Sequence, residues 1–301
     1  AINQANTVAG ITAKGINALT VKTGAGGNAN HLVFNTMANV GTFGDVTIDS
    51  DDPVTFTTGA TAATSIGNIV LKGKDTSSEV NMGTWGASGS VGNITWSGSF
   101  SANSDLTVGA ALSVGAVSTA AVAAGTITVV LNNSTTIGTT MTGGAGVDKF
   151  TGTGGADTMT GAAAADSLTG GSGADTITGG EGADTIVPGL GADTIVLTET
   201  AAAADVVVLA GAASSNTSTD INNVVTGFAV ATDVIDFTAN PAFKHGVGAQ
   251  TGYQTEGALG AIGDTEAIAV FSTNMIVSGD LPTEAEIETY LSTGGAKDVF
   301  I

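Results

Sequence analysis

The sequence predicts an all-β protein: a β-solenoid or otherwise β-rich N-terminal half that continues into a parallel β-roll, followed by a β-rich C-terminal cap carrying one short helix. Three observations carry this. Between residues 143 and 196 an aspartate recurs every nine residues, at Asp148, Asp157, Asp166, Asp175, Asp184 and Asp193. Residues 1–142 are a succession of short runs rich in Val, Ile and Thr, separated by Gly, Asn, Ser and Asp. The 301-residue chain has 45 glycines and only 5% aromatic residues yet is 42% hydrophobic, which suits stacked coils around a small-residue core.

In the N-terminal half the runs are INALTV, HLVFNT, GDVTIDS, PVTFTTG, IGNIVLKG, VGNITWSG, DLTVGA and TITVVLNN. IGNIVLKG at 66–73 and VGNITWSG at 91–98 resemble each other over eight positions, an imperfect repeat of about two dozen residues that favours a solenoid over a stacked sandwich. Residues 111–131 carry no charge over 21 positions, long enough for a membrane-spanning helix. Their pattern argues otherwise. Leu112, Val114 and Ala116, then Ile127, Val129 and Leu131, alternate with smaller or polar residues across a Gly/Ala break, which predicts two strands and a turn. Asp49, Asp51 and Asp52 in DSDDP could bind a cation, but the segment lacks the Gly and Glu of an EF-hand and reads as a solvated turn. No Pro-rich or charged linker precedes Gly143, so this half should run directly into the next.

Cut into nines, residues 143–196 read GGAGVDKFT, GTGGADTMT, GAAAADSLT, GGSGADTIT, GGEGADTIV and PGLGADTIV. Each unit holds a Gly-rich turn, an Asp, and one large apolar residue two places on. The stretch after each Asp is a minimal strand with one side chain in and its neighbours out. Two turns and two strands make an 18-residue coil, and stacking coils aligns Phe150, Leu168 and Ile186 on one ladder and Met159, Ile177 and Ile195 on the other. The carboxylates of units one coil apart then face each other. Like charges so placed destabilise the fold, whereas a hard divalent cation taking six or more oxygens at about 2.3–2.6 Å converts them into ligands. Ca2+ is the ion that fits.

These units resemble the nonapeptide G-G-x-G-x-D-x-U-x of RTX proteins, which fold as calcium-filled parallel β-rolls. The resemblance covers 54 of the 301 residues. It implies that each ion is held by the second, fourth and sixth positions of one unit and the first, third and sixth of the unit after next. One ion would then use Gly144, Gly146, Asp148, Gly161, Ala163 and Asp166, and the next Thr153, Gly155, Asp157, Gly170, Ser172 and Asp175. A third would use Ala162, Ala164, Asp166, Gly179, Glu181 and Asp184, and a fourth Gly171, Gly173, Asp175, Pro188, Leu190 and Asp193. The third unit departs from the pattern, with Ala162 and Ala164 where glycines are expected.

After the array, DINNVVTGFAVATDVIDF at 220–237 resembles the segment that caps the open roll in RTX proteins, covering an otherwise unpaired edge. EAIAVF and MIVSG read as a hairpin. Thr283 and Glu286 form a capping box ahead of Ile287, Tyr290 and Leu291, predicting a helix that packs on the cap. The final Lys297-Asp298-Val299-Phe300-Ile301 resembles the C-terminal signal of type I secretion substrates. The expected division is 1–142 β-rich assembly region, 143–196 RTX roll, and 197–301 cap with secretion signal.

Composition excludes several function classes. Seven cations, all Lys, stand against 27 carboxylates for a net charge of −20, which repels nucleic acid. The absence of Cys rules out a disulfide framework and thiol chemistry. The first residues, AINQANTVAGITAKG, show no signal-peptide pattern. His31 and His245 form no HExxH, and no G-x-S-x-G occurs, so no enzyme activity is expected. Composition and layout resemble RTX-type surface-layer proteins of Gram-negative bacteria. That resemblance implies a secreted, extracellular or cell-surface protein, calcium-dependent and self-assembling into a layer or filament. Its partners would be other copies of itself, with cell-surface polysaccharide as a second candidate. The alternatives are a calcium-dependent adhesin and the non-catalytic C-terminal part of an RTX exoenzyme.

Overall fold

The computed structural model describes residues 41–236 apart from 52, 58–62, 75–77, 101–102, 132–136, 210–222 and 230–231, together with the strands Asn6–Val8, Ile11–Ala13, Ile16–Lys22, Leu32–Phe34, Met37–Asn39 and Val299–Phe300. Two long sheets run the length of these residues, one of 11 strands and one of 14, with a small two-stranded sheet formed by Ile11–Ala13 and Met37–Asn39. In the first sheet the strands stack in chain order, from Asn6–Val8 through Val80–Trp85, Thr126–Leu131 and Ser167–Ser172 to Val234–Asp236, and all its pairings are parallel. Each strand therefore pairs with the one a full coil away. That is a solenoid, and it decides against the sandwich.

IGNIVLKG and VGNITWSG lie on adjacent coils of this stack, with Ile69 opposite Ile94 and Leu71 opposite Trp96. Two further members belong to it. Asp45 and Ala116 occupy the corner that Asn68 and Asn93 occupy in the middle coils, and Val46 and Val117 follow inward. The chain bends at Gly67 and Gly92, where consecutive corners stack closely enough that a Cβ on Gly92 would lie 2.8 Å from the Gly67 carbonyl carbon. Such contact excludes any side chain there. Inside, Trp85 packs edge-to-face on Phe43 and Phe56 at 5.4 and 5.5 Å, and Trp96 on Phe100 at 5.4 Å. These large rings fill the wide coils of the N-terminal half.

Residues 111–131 are strands, as the alternation predicts: Ser113–Val114, Val117–Ala124 and Thr126–Leu131. Ile127, Val129 and Leu131 are fully buried. Of the earlier half, Val114 is buried as the alternation predicts, but Leu112 is 65% exposed and Ala116 is exposed, while Val117 and Val122 point inward. The corner at Gly115 resets the alternation. Among the described residues no helix is long and apolar enough to cross a membrane.

Past Gly143 the sheets continue without a break, since Thr126–Leu131 pairs with Val147–Thr151. The coil narrows to 18 residues, and each strand presents one large inward residue. Phe150, Leu168 and Ile186 align on one sheet, and Met159, Ile177 and Ile195 on the other, all essentially unexposed. Thr158, Thr176 and Thr194 stand outward in register.

The segment expected to cap the roll instead prolongs it. Val206–Val208 and Val234–Asp236 extend the first sheet, and Val224–Thr226 extends the second, in the same parallel sense. Val299–Phe300 then lies antiparallel to Val224–Val225 and covers that edge. The hairpin of EAIAVF and MIVSG and the helix at Thr283 lie outside the described residues.

Candidate metal centre

The aspartate of each nonapeptide ends a turn and starts a strand, so it points inward at the edge of the roll. Asp148, Asp157, Asp166, Asp175, Asp184 and Asp193 are 1–2% exposed. They form two ladders, one on each edge. On the first, the main-chain N–H of Asp148 donates to Asp166 Oδ1 at 2.7 Å, and that of Asp166 to Asp184 Oδ1 at 2.8 Å. On the second, Asp157 N–H donates to Asp175 Oδ1 at 2.8 Å and Asp175 N–H to Asp193 Oδ1 at 2.9 Å.

The N-terminal half uses a related device in the opposite sense, the later coil donating to the earlier, with Asn at two of its three acceptors. Asn68 N–H donates to Asp45 Oδ1 at 2.8 Å, Asn93 N–H to Asn68 Oδ1 at 3.0 Å, and Ala116 N–H to Asn93 Oδ1 at 3.0 Å. A neutral amide therefore suffices to stack one coil on the next. Carboxylates in the same role add only charge, and charges one coil apart, at about 4.8 Å, repel by roughly 3 kcal/mol at an effective dielectric constant of 20. Something other than hydrogen bonding accounts for Asp in the array.

The second carboxylate oxygen supplies the reason. Among the described residues, Oδ2 of Asp166, Asp175 and Asp184 is buried with no hydrogen-bond partner. A Cβ added at Gly161, Gly170 or Gly179, the first residue of each turn, would collide with that oxygen, so it faces bare main chain. Buried carboxylates in this state are costly unless a cation or a proton meets them. Burial pushes Asp166 up to about 8, Asp175 to about 7 and Asp184 to about 6, with neighbouring carboxylates adding to each. Among the described residues no three Asp, Glu or His side chains converge, so an ion here must complete its shell with main-chain carbonyls. A hard oxygen-seeking cation fits this donor set.

The four ligand sets implied by the repeat each fall on adjacent coils at one edge. In the first set, Ala163 N–H bonds to Gly144 O at 3.1 Å, with Gly146 on the same turn as Asp148 and Gly161 on that of Asp166. In the second, Ser172 N–H bonds to Thr153 O at 3.2 Å, with Gly155 and Gly170 flanking Asp157 and Asp175. Ala162 stands opposite Gly180, and Ala163 opposite Glu181, beside Ala164 and Gly179 in the third. Gly171 stands opposite Gly189 and Ser172 opposite Leu190 in the fourth, where Gly173 N–H bonds to Leu190 O at 2.8 Å and Pro188 opens the last turn.

The sets differ in what their carboxylates already hold. Asp148 accepts from Thr119 Oγ1 at 2.7 Å and from Gly144 N–H at 2.9 Å. Asp157 accepts from Thr139 N–H and Thr153 N–H, both at 2.6 Å, and from the Thr153 hydroxyl at 3.0 Å. Burial raises both groups while these bonds oppose it. Positions two and four are left-handed from the third unit on, including Ala162 at φ 83° and Ala164 at φ 85°. In the DSDDP turn, Asp51 is buried and lies 3.0 Å from Lys74 Nζ, while Asp49 lies 3.7 Å from Lys22 Nζ and 3.9 Å from Lys74 Nζ. Lysines pair with both carboxylates, and of the two only Asp49 keeps appreciable exposure to solvent.

Sequence reasoning missed three members of the ladders. Asp184 N–H donates to Asp205 Oδ1 at 2.9 Å, Asp205 N–H to Asp233 Oδ1 at 3.2 Å, and Asp193 N–H to Asn223 Oδ1 at 2.8 Å. Each is followed by a short apolar run, DVVV, DVID and NVVT, which is the signal that could have found it.

Residues 138–168 and 160–195 match the family of the RTX calcium-binding nonapeptide repeat. Neither a curated protein nor a solved structure matches the chain. The chain thus carries RTX calcium-binding repeats, in which Ca2+ is a structural ligand.

Proposed function

We propose that this protein is secreted, takes up calcium outside the cell, and assembles with copies of itself into an extracellular surface layer or filament. The observation that carries the reading is the buried carboxylate ladder inside a solenoid. Its unpartnered oxygens tie the fold to a divalent cation that is abundant outside cells and scarce within. A roll held unfolded at low calcium suits passage through an export channel. A charge of −20 also opposes contact between copies unless cations screen or bridge them. The solenoid adds a geometric argument, because stacked strands end in edges. Among the described residues the first sheet begins at Asn6–Val8 and ends at Val234–Asp236 with no further strand beyond either.

The test is dynamic light scattering and electron microscopy of the full chain in millimolar calcium and after chelation. Ordered sheets or filaments that dissolve on chelation are expected. A protein that stays monomeric in calcium overturns the reading and favours an adhesin that meets a receptor or polysaccharide.

A further inference from the structure

The carboxylate ladder outlasts the repeat. The matched residues end at 195, and the coil that follows, Leu197-Thr198-Glu199-Thr200-Ala201-Ala202-Ala203-Ala204-Asp205, has none of the nonapeptide's glycines. Asp205 nevertheless takes the ladder position, with Asp184 N–H on its Oδ1 at 2.9 Å and Val206 N–H on Asp184 O at 2.8 Å. Val207 stands opposite Ile186, continuing the inward row. Asp184 and Asp205 are each 1% exposed, and Oδ2 of each is buried with no hydrogen-bond partner. This pair thus repeats, outside the nonapeptides, the state of the carboxylates within them.

The ladder then ends in residues that need nothing more. Asp233 accepts from Asp205 N–H and Thr232 Oγ1 on Oδ1 and from Ala229 N–H at 2.7 Å on Oδ2. On the other edge the terminal residue is Asn223, a neutral amide. Glu199 belongs to the same turn as Asp205 and its charge acts on both Asp184 and Asp205. Its own oxygens accept from Gly182 N–H at 2.9 Å and Ala203 N–H at 2.6 Å, so it contributes field and not a ligand.

We propose that Asp184 and Asp205 hold a further calcium ion one coil beyond the nonapeptide repeats, its remaining oxygens coming from main-chain carbonyls of the two turns. The inference rests on calcium binding by the repeats and not on the extracellular role. Two buried carboxylates on neighbouring coils, each with one oxygen left over, are matched when ionised by a cation between them, for the reason that holds within the array.

The experiment counts calcium on the full-length chain by isothermal titration calorimetry and by elemental analysis after equilibrium dialysis. Asp205→Asn keeps an acceptor for Asp184 N–H and removes the charge, and it should bind about one ion fewer per chain than the parent. Asp233→Asn should bind the parental number. An Asp205→Asn protein with unchanged count and affinities overturns the site, and a parent that binds no calcium overturns the repeats' own role as well. If circular dichroism shows that Asp205→Asn does not fold in saturating calcium, Glu199→Gln decides: one ion weakened several-fold with the count preserved supports the site, and an unaltered titration overturns it.

Discussion

The main-chain N–H of Asp157 donates to Oδ1 of Asp175 at 2.8 Å, one coil on, while Oδ2 of Asp175 is buried without a partner among the described residues. One oxygen fixes the carboxylate and the other is left for an ion. Asp148, at the start of the array, has both oxygens engaged, by the Thr119 hydroxyl and by Gly144 N–H. Thr119 can reverse its hydroxyl to accept from an amide, so Asn fits at 148 with little loss. Asp175→Asn should therefore weaken calcium binding by about tenfold or more, the effect of removing one charge beside a cation, and Asp148→Asn by much less. Calorimetry on the two full-length variants checks this, and equal losses would mean that the ladder position does not decide ion binding.

The same carboxylates give the metal-free protein an inverted pH dependence. Burial raises Asp166 to about 8, Asp175 and Asp205 to about 7 and Asp184 to about 6, from 3.8. Between about 4 and about 8 the folded chain then holds more protons than the unfolded one, so stability falls as pH rises through that window and is fullest below it. With calcium the sign reverses, because ligation requires ionised carboxylates. Thermal melts of metal-stripped protein should shift down from pH 5 to pH 8, and melts in calcium should shift up. A metal-free protein that gains stability towards pH 8 would show that these groups do not carry protons.

Ala162 and Ala164 adopt φ angles of 83° and 85°, beside Gly180 and Gly182 at 115° and 118° on the next coil. A left-handed L-residue costs about 1–2 kcal/mol, offset in part by the roughly 0.5–1 kcal/mol that glycine loses in chain entropy. Replacing either alanine by glycine should stabilise the calcium-loaded protein by up to about 1 kcal/mol by this balance. Ala163→Gly, between them at an ordinary angle, should destabilise slightly. Chemical unfolding in calcium reads the difference, and a stabilising Ala163→Gly would contradict the conformational account.

How much of this was legible depended on period. The nine-residue spacing gives the 18-residue coil, and from it the alignment of Phe150, Leu168 and Ile186 follows without further information. Asp205, Asp233 and Asn223 lie 21, 28 and 30 residues from the partners they accept, so no fixed spacing reveals them. Their turns are longer, and a ladder constrains only the strand positions, not the loop between them. In the N-terminal half the likeness of 66–73 to 91–98 exposed two coils, but Asp45 reads as the start of a strand until Asn68 is seen to donate to it. Ala116 was misplaced because alternation was followed through the Gly115 corner, where the phase changes, and Leu112 because it lies in the bend ahead of Ser113–Val114 and not in the strand.

The two halves should part when calcium is removed. Both tryptophans of the chain, Trp85 and Trp96, sit in the N-terminal core, packed on Phe43, Phe56 and Phe100. The corner of that half is held by amides that need no cation, whereas the roll keeps one large side chain per strand and a column of buried carboxylates. Chelation at pH 8 leaves Asp175, Asp184 and Asp205 largely ionised, so repulsion acts on the roll and not on the aromatic core. The far-UV circular dichroism of the full chain should lose part of its β signal while tryptophan emission stays blue-shifted, and calcium should restore the lost part. A red shift of emission that follows the dichroism point for point would show instead that the solenoid folds as one cooperative unit, with the ions of the roll holding the aromatic coils in place.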